Sequence, residues 1–232
     1  MSLWTRISDA LAALANGEGL SQVFEHLRQA PEKSVGFAIA VIALGAKMAK
    51  ADGQVTKDEV TAFREVFQIA QADEAGAARV FNMARTDIAG YQEYARQIQA
   101  MFAGDTTTLS DLMEGLFHIA MADGFYHPNE NEFLRDVSQI FGLDITQFRA
   151  LRARFVPDAP QDPFTILGVH PDMSRDEIRK HWRQLVRETH PDAMMARGVP
   201  EEAVRLAEKR MIDINRAWDE INGCAKYAAR QL

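Results

Sequence analysis

Between Ser174 and Ile221 the chain carries two helical patterns that a proline forces apart. The first opens on a capping box. Ser174 is the cap, and Glu177 sits three residues on, where its carboxylate can reach back to the Ser174 N–H. Ile178, Trp182 and Leu185 then recur at steps of four and three on one side, and Arg175, Arg179, Arg183 and Arg187 recur every four residues as a slanting stripe that Lys180 widens. Pro191 must end this helix, because the residue before a proline is driven out of the α region. Beyond it, Val204, Ala207, Met211, Ile214, Trp218 and Ile221 mark a second apolar seam. Two seamed helices on a tight connection predict an antiparallel hairpin with His190-Pro191-Asp192 exposed at its tip. Upstream, Asp162-Pro163 predicts another helix start, an N-cap followed by proline at the first position.

Charge divides unevenly along the chain. The 232 residues carry a formal net charge of −7, which argues against general nucleic-acid binding on a basic surface. Residues 174–189 reverse the sign, with Arg175, Arg179, Lys180, Arg183 and Arg187 against Asp176, Glu177 and Glu188. This local patch suits an acidic protein surface. Cys224 is the single cysteine, so neither an internal disulfide nor a cysteine zinc site can form, which fits a reducing compartment.

The Ile166-Leu167-Gly168-Val169 turn, the basic helix, the His190-Pro191-Asp192 tip and the Ile214–Ile221 helix end resemble a J-domain, the module by which DnaJ-type co-chaperones stimulate Hsp70 ATPases. Four pieces occur in order at suitable spacings, which makes the likeness specific. The stretch Ala193–Glu202 is further similar to the loop of DjlA-type proteins, which join a TerB-like helical domain to a C-terminal J-domain. Ala193 and Met194 follow the motif where J-domains often carry a basic residue. The resemblance implies a non-enzymatic co-chaperone whose partner is Hsp70 (DnaK). Its contacts would be His190, Pro191, Asp192, Arg179, Lys180, Arg183 and Arg187, and its place the cytoplasm, where Hsp70 and ATP are found. His170-Pro171-Asp172 repeats the tripeptide ahead of the basic helix and reads as a helix connection with no partner role.

From Pro31 to about Arg154 the pattern is helical throughout, without strand alternation, and predicts about seven main helices from its break signals. An internal repeat runs through it. Ala49-Lys50-Ala51-Asp52-Gly53 returns as Ala120-Met121-Ala122-Asp123-Gly124, and Glu59 and Glu130 follow at equal distance. Such repeats can share one core about a pseudo-twofold axis. The pattern resembles the TerB family, whose acidic turns are proposed to bind metal. The candidate divalent-cation ligands are therefore Asp52, Glu59, Asp123 and Glu130, of a hard oxygen type that suits calcium. Helix capping explains the same carboxylates: Thr56 with Glu59 is a capping box, and Pro128 with Glu130 is an ordinary helix start. Neither His118 nor His127 has a second histidine at a four-residue spacing, which gives a metallohydrolase the least support.

The predicted architecture is all-α. Residues 1–155 form a TerB-like helical domain with an internal two-fold repeat, residues 1–30 being an N-terminal helical extension. A linker, 156–161, holds Pro157 and Pro160, and a J-domain with a central antiparallel hairpin spans 162–232. Leu3, Trp4, Ile7, Leu11 and Leu14 share a face that packs on the main domain; the alternatives are a dimer contact or peripheral membrane contact. The apolar run Val35–Ala46 is shorter than the ~20 residues of a membrane span, so a buried helix is expected there, and no membrane anchor of the kind many DjlA-type proteins carry. Met194 and Met195 are placed in a loop after the tip, where they could pad a partner contact, and a short separate helix is expected after Gly223. The first domain would supply targeting, dimerisation or partner specificity. The alternative function is metal binding or sensing, with the J-domain as an accessory.

Overall fold

The computed structural model describes residues 7, 33–52, 78, 81–82, 90–157, 162–200 and 205–228. Among these every regular element is an α-helix. In chain order they are α1 (Lys33–Asp52), α2 (Tyr91–Met101), α3 (Thr106–Ala120), α4 (Pro128–Ile140), α5 (Ile145–Phe155), α6 (Pro163–Leu167), α7 (Arg175–Thr189), α8 (Pro191–Arg197) and α9 (Arg205–Ala228).

Helix α1 is the centre of the N-terminal bundle. Every residue from Val35 to Met48 is buried, as expected of a helix that is apolar on all sides. Helices α2, α3 and α4 pack against it. Lys47 is the one charge in this stretch, and its ammonium lies 4.8 Å from the centre of the Tyr94 ring, a cation–π contact that eases its burial. Helices α1 and α3, which precede the two Asp-Gly turns of the repeat, pack together. The first turn beyond Asp52 lies outside the described residues. Ile7 is helical and fully buried in this core, which agrees with a packing role for its face; the other residues of that face lie outside the described ones. No described helix is long and apolar enough to cross a membrane.

The caps follow the sequence closely. Asp105 accepts from the N–H groups of Thr107 and Thr108, both at 3.2 Å. Asp144 and Gln147 close a capping box on α5 at 2.8 Å in each direction. Asp162 accepts from the Thr165 N–H at 2.9 Å, and Ser174 and Glu177 cap α7. Each satisfies donors that the first helical turn leaves open, and is worth about 1 kcal/mol.

Helices α7 and α9 form the expected antiparallel hairpin. Ile178, Ile214, Ala217, Trp218 and Ile221 share a core with Ile166 and Leu167 of α6. Trp182 and Trp218 stack at 5.1 Å with planes 12° apart, and Trp182 Nε1 donates to Asn215 Oδ1 at 3.1 Å. The His181 Nε2–H donates to the Leu167 carbonyl at 3.0 Å, which ties α6 to the hairpin.

Three expectations change. Pro191 does end α7, but no open loop follows it. His190 caps the short helix α8, with Pro191 at the first position, where its missing N–H costs nothing. Gly198 closes α8 at φ 98°, a left-handed conformation that glycine adopts without strain. Met194 is accordingly not a loop residue awaiting a partner. It is 1% exposed and packs in the N-terminal core, while Met195 stays exposed. Gly223 does not interrupt α9, which runs on to Ala228, because one glycine inside a long, packed helix costs only about 1 kcal/mol.

Candidate functional site

The exposed end of the hairpin is built on the α7–α8 junction. His190 ends one helix and caps the next, so its backbone is fixed from both sides. Its Nδ1 accepts the Asp192 N–H at 3.3 Å. The Asp192 carboxylate lies 3.7 Å from the same nitrogen and is 82% exposed. The tip therefore presents an imidazole edge and a carboxylate to solvent, with the half-buried Pro191 ring between them. Beside it, Arg179, Lys180, Arg183 and Arg187 are all exposed and form no ion pair among the described residues. Arg175, the first of the stripe, instead donates to Asn222. Helix α7 has 15 residues, so the stripe extends about 22 Å from the tip.

The second tripeptide has the same local geometry. His170 Nδ1 accepts the Asp172 N–H at 3.4 Å, and both side chains are exposed. It lies on the connection between α6 and α7, at the far end of α7 from His190.

Of the four candidate metal ligands, Glu59 and the Asp52 side chain lie outside the described residues. The other two serve their own turn. Asp123 Oδ1 accepts the Phe125 N–H at 2.9 Å, and Glu130 Oε2 accepts the His127 N–H at 2.8 Å. His127 Nε2 lies 3.5 Å from Asp123 Oδ2. Among the described residues no three His, Cys, Asp or Glu side chains converge on one point.

A buried charge cluster joins the two halves of the molecule, and sequence reasoning missed it. Asp111 and Glu114 project from α3 with 0% and 1% side-chain exposure. Arg210 of α9 donates to Glu114 Oε1 at 2.6 Å through Nε and to Asp111 Oδ1 at 2.7 Å through Nη2. Arg197, the last residue of α8, donates to Asp111 Oδ2 at 2.8 Å, and Arg154 of α5 donates to Glu114. Burial works against these charges. It pushes the Asp111 carboxyl up from its ordinary value and pulls the Arg154 guanidinium down. At Arg210, Glu114 and Asp111 outweigh burial and hold the guanidinium above its ordinary value. At Asp111 the charges of Arg210 and Arg197 pull the other way and offset part of the burial. The signal was available in the sequence: Asp111 and Glu114 are the only carboxylates of α3 and sit among Leu109, Leu112, Met113 and Leu116, and Arg210 falls between Ala207 and Ile214 of the α9 seam.

Comparison with known proteins agrees with both halves. Residues 38–153, half of the chain, match the family described as Tellurite resistance protein TerB, and residues 162–224 match the DnaJ domain. The chain belongs to the DjlA-type co-chaperones. It is similar to the Co-chaperone protein DjlA of Escherichia coli (strain K12), 24% identical over 265 positions that cover 95% of this chain and 97% of that protein. The Photobacterium profundum protein of the same name is 25% identical, covering 88% of this chain and 82% of its own length. That of Coxiella burnetii is 27% identical, covering 75% and 72%. No solved structure matches. A DjlA-type co-chaperone pairs TerB-like helices with a J-domain, and in this one the buried cluster fastens the two together.

Proposed function

We propose that this J-domain co-chaperone binds an Hsp70 of the DnaK type and stimulates its ATPase. The supporting observation is the pairing of the His190-Pro191-Asp192 tip, whose histidine and aspartate are exposed, with a cationic stripe on the preceding helix that forms no ion pair among the described residues. Arg179, Lys180, Arg183 and Arg187 steer the encounter and set its register on an acidic chaperone face. Asp192 meets a basic group there, and His190 and Pro191 hold the shape of the tip. No bond is made or broken by this chain. It shifts the chaperone toward its hydrolysing conformation by binding that conformation better. The TerB-like helices add targeting, dimerisation or partner specificity, and the site of action is the cytoplasmic compartment that holds Hsp70 and ATP.

An ATP-turnover assay with the cognate Hsp70 tests this reading. His190→Gln is expected to abolish stimulation, and His170→Gln to leave it at the wild-type level. Stimulation that survives His190→Gln sinks the proposal.

A further inference from the structure

Arg197 occupies an unusual place in the charge cluster. Its Nη2 donates at 2.8 Å to Asp111 of the TerB-like helix α3 and at 2.9 Å to the Glu188 carbonyl in the last turn of α7. Glu188 lies two residues before the tip, and Arg197 closes the helix that follows it. One guanidinium group therefore bridges the two arms of the turn that carries His190-Pro191-Asp192 and pins that turn to the other domain. Apolar anchors flank it. Met194 and Val199, 1% and 2% exposed, are buried in the TerB-like core, while Asp192 and Met195 between His190 and Arg197 face solvent. Arg210 and Arg154 already serve Glu114, and Arg210 serves the other oxygen of Asp111. The stability of the cluster does not require Arg197 to reach the Glu188 carbonyl, and that second bond is the one that acts on the tip.

We infer that Arg197, held by Asp111, is a positioning residue for the His190-Pro191-Asp192 tip, so that the TerB-like domain governs how firmly the tip is presented to Hsp70. The inference rests on the Hsp70 reading for its functional consequence. Its physical content is independent of that reading: the α7–α8 junction owes its rigidity to a contact from the other domain.

Two measurements on full-length protein test it, with Arg197→Met, which keeps the stem and removes the donors, and Arg197→Lys, which keeps the charge. The first is native-state amide exchange. In Arg197→Met, the amides of Met194, Gly198 and Val199 are expected to exchange about tenfold faster, with those of α3 unchanged. Arg197→Lys should fall between Arg197→Met and wild type. The second is Hsp70 ATP turnover as a function of co-chaperone concentration. Arg197→Met should lower the maximal stimulation about fivefold while the half-maximal concentration, set by the untouched stripe, moves less than twofold. Unchanged exchange at the three amides overturns the inference, as does acceleration spread evenly over the whole chain, which marks a merely structural role. Faster exchange at the tip with full maximal stimulation overturns it as well. If His190→Gln also stimulates normally, the Hsp70 reading falls, while the exchange result still decides the physical claim.

Discussion

Replacing Arg210 by methionine is the sharpest test of the bond between the two halves. The substitution keeps an unbranched stem of similar reach and removes the guanidinium. That group makes two hydrogen bonds to buried carboxylates, 2.6 Å to Glu114 and 2.7 Å to Asp111, and is 8% exposed. Hydrogen bonds to charged groups are worth roughly 1.5–3 kcal/mol each, and breaking a buried ion pair costs about 3–5 kcal/mol. Neither carboxylate is left alone, since Arg197 stays on Asp111 and Arg154 stays on Glu114. The loss should therefore sit at the lower end, about 3 kcal/mol, out of a total stability of roughly 5–15 kcal/mol. With a urea slope of about 2 kcal/mol per molar, the midpoint falls by about 1.5 M. Equilibrium urea unfolding followed by far-ultraviolet circular dichroism measures it. Arg96→Met is the control. Its ion pair with Glu93 is exposed at 62% and 51%, so the change should cost less than about 1 kcal/mol. A loss below about 1 kcal/mol in Arg210→Met, or an equal loss in Arg96→Met, would refute the claim that the buried cluster holds the domains together.

Other consequences are simpler to state. Trp182→Ala removes one ring of the Trp182–Trp218 stack and the bond to Asn215, and should cost about 3 kcal/mol in the same unfolding experiment. Burial pushes the Asp105 carboxyl up, but the Thr108 hydroxyl, the Thr108 and Thr107 N–H groups and the Arg197 charge outweigh this and hold it below its ordinary value. Its contribution is thus present above the unfolded value near about pH 4 and is lost as pH falls through the lower folded value. Asp105→Ala should cost about 1 kcal/mol at pH 7, with the difference from wild type shrinking below about pH 4. Gly198→Ala forces a side chain into the left-handed region at φ 98° and should cost about 1–2 kcal/mol, read from the thermal midpoint. Because the α7 stripe is exposed, its contribution to Hsp70 association should weaken steeply between low salt and about 0.15 M, where the screening length is about 8 Å; a salt-independent dissociation constant would count against electrostatic steering.

The hairpin was legible because its causes are local. A capping box, a proline and two seams are readable one helix at a time, and Ser174, Pro191 and Trp218 each act where their own segment places them. The all-α character of the N-terminal half was legible for the same reason. The contact between the halves was not, because it depends on which faces meet. Nothing within nine residues of Arg197 announces that its partner is Asp111, 86 residues earlier. The acidic pair on α3 shows only that something cationic must arrive, since two carboxylates on the apolar side of a helix cannot stay buried unpaired. Helix α8 was missed for a different reason. Proline was read as a stop signal for α7, although the same residue at the first position starts a helix as readily.

The two copies of His-Pro-Asp bring these strands together. The histidine and aspartate of both tripeptides are exposed, and both close the same turn, with the histidine Nδ1 taking the aspartate N–H at 3.4 and 3.3 Å. The tripeptide alone therefore cannot distinguish a recognition tip from a connector. The surroundings differ. His170-Pro171-Asp172 leads through Met173 into the Ser174 cap at the start of the basic helix, the end where Arg175 is engaged with Asn222. His190-Pro191-Asp192 stands at the other end, next to Arg187, and opens a helix whose inner side is buried as Met194 and whose last residue is held by Asp111. Fixing a loop before binding spares the entropy of ordering it afterwards, about 1–2 kcal/mol for each residue otherwise free. An anchored tip thus delivers more of its contact energy to the partner's conformational equilibrium than an unanchored copy of the same sequence. Transplanting the Glu188–Val199 segment into the 170–172 position without its partners Asp111 and the TerB-like core should reproduce the tripeptide's geometry and still yield no second stimulating site.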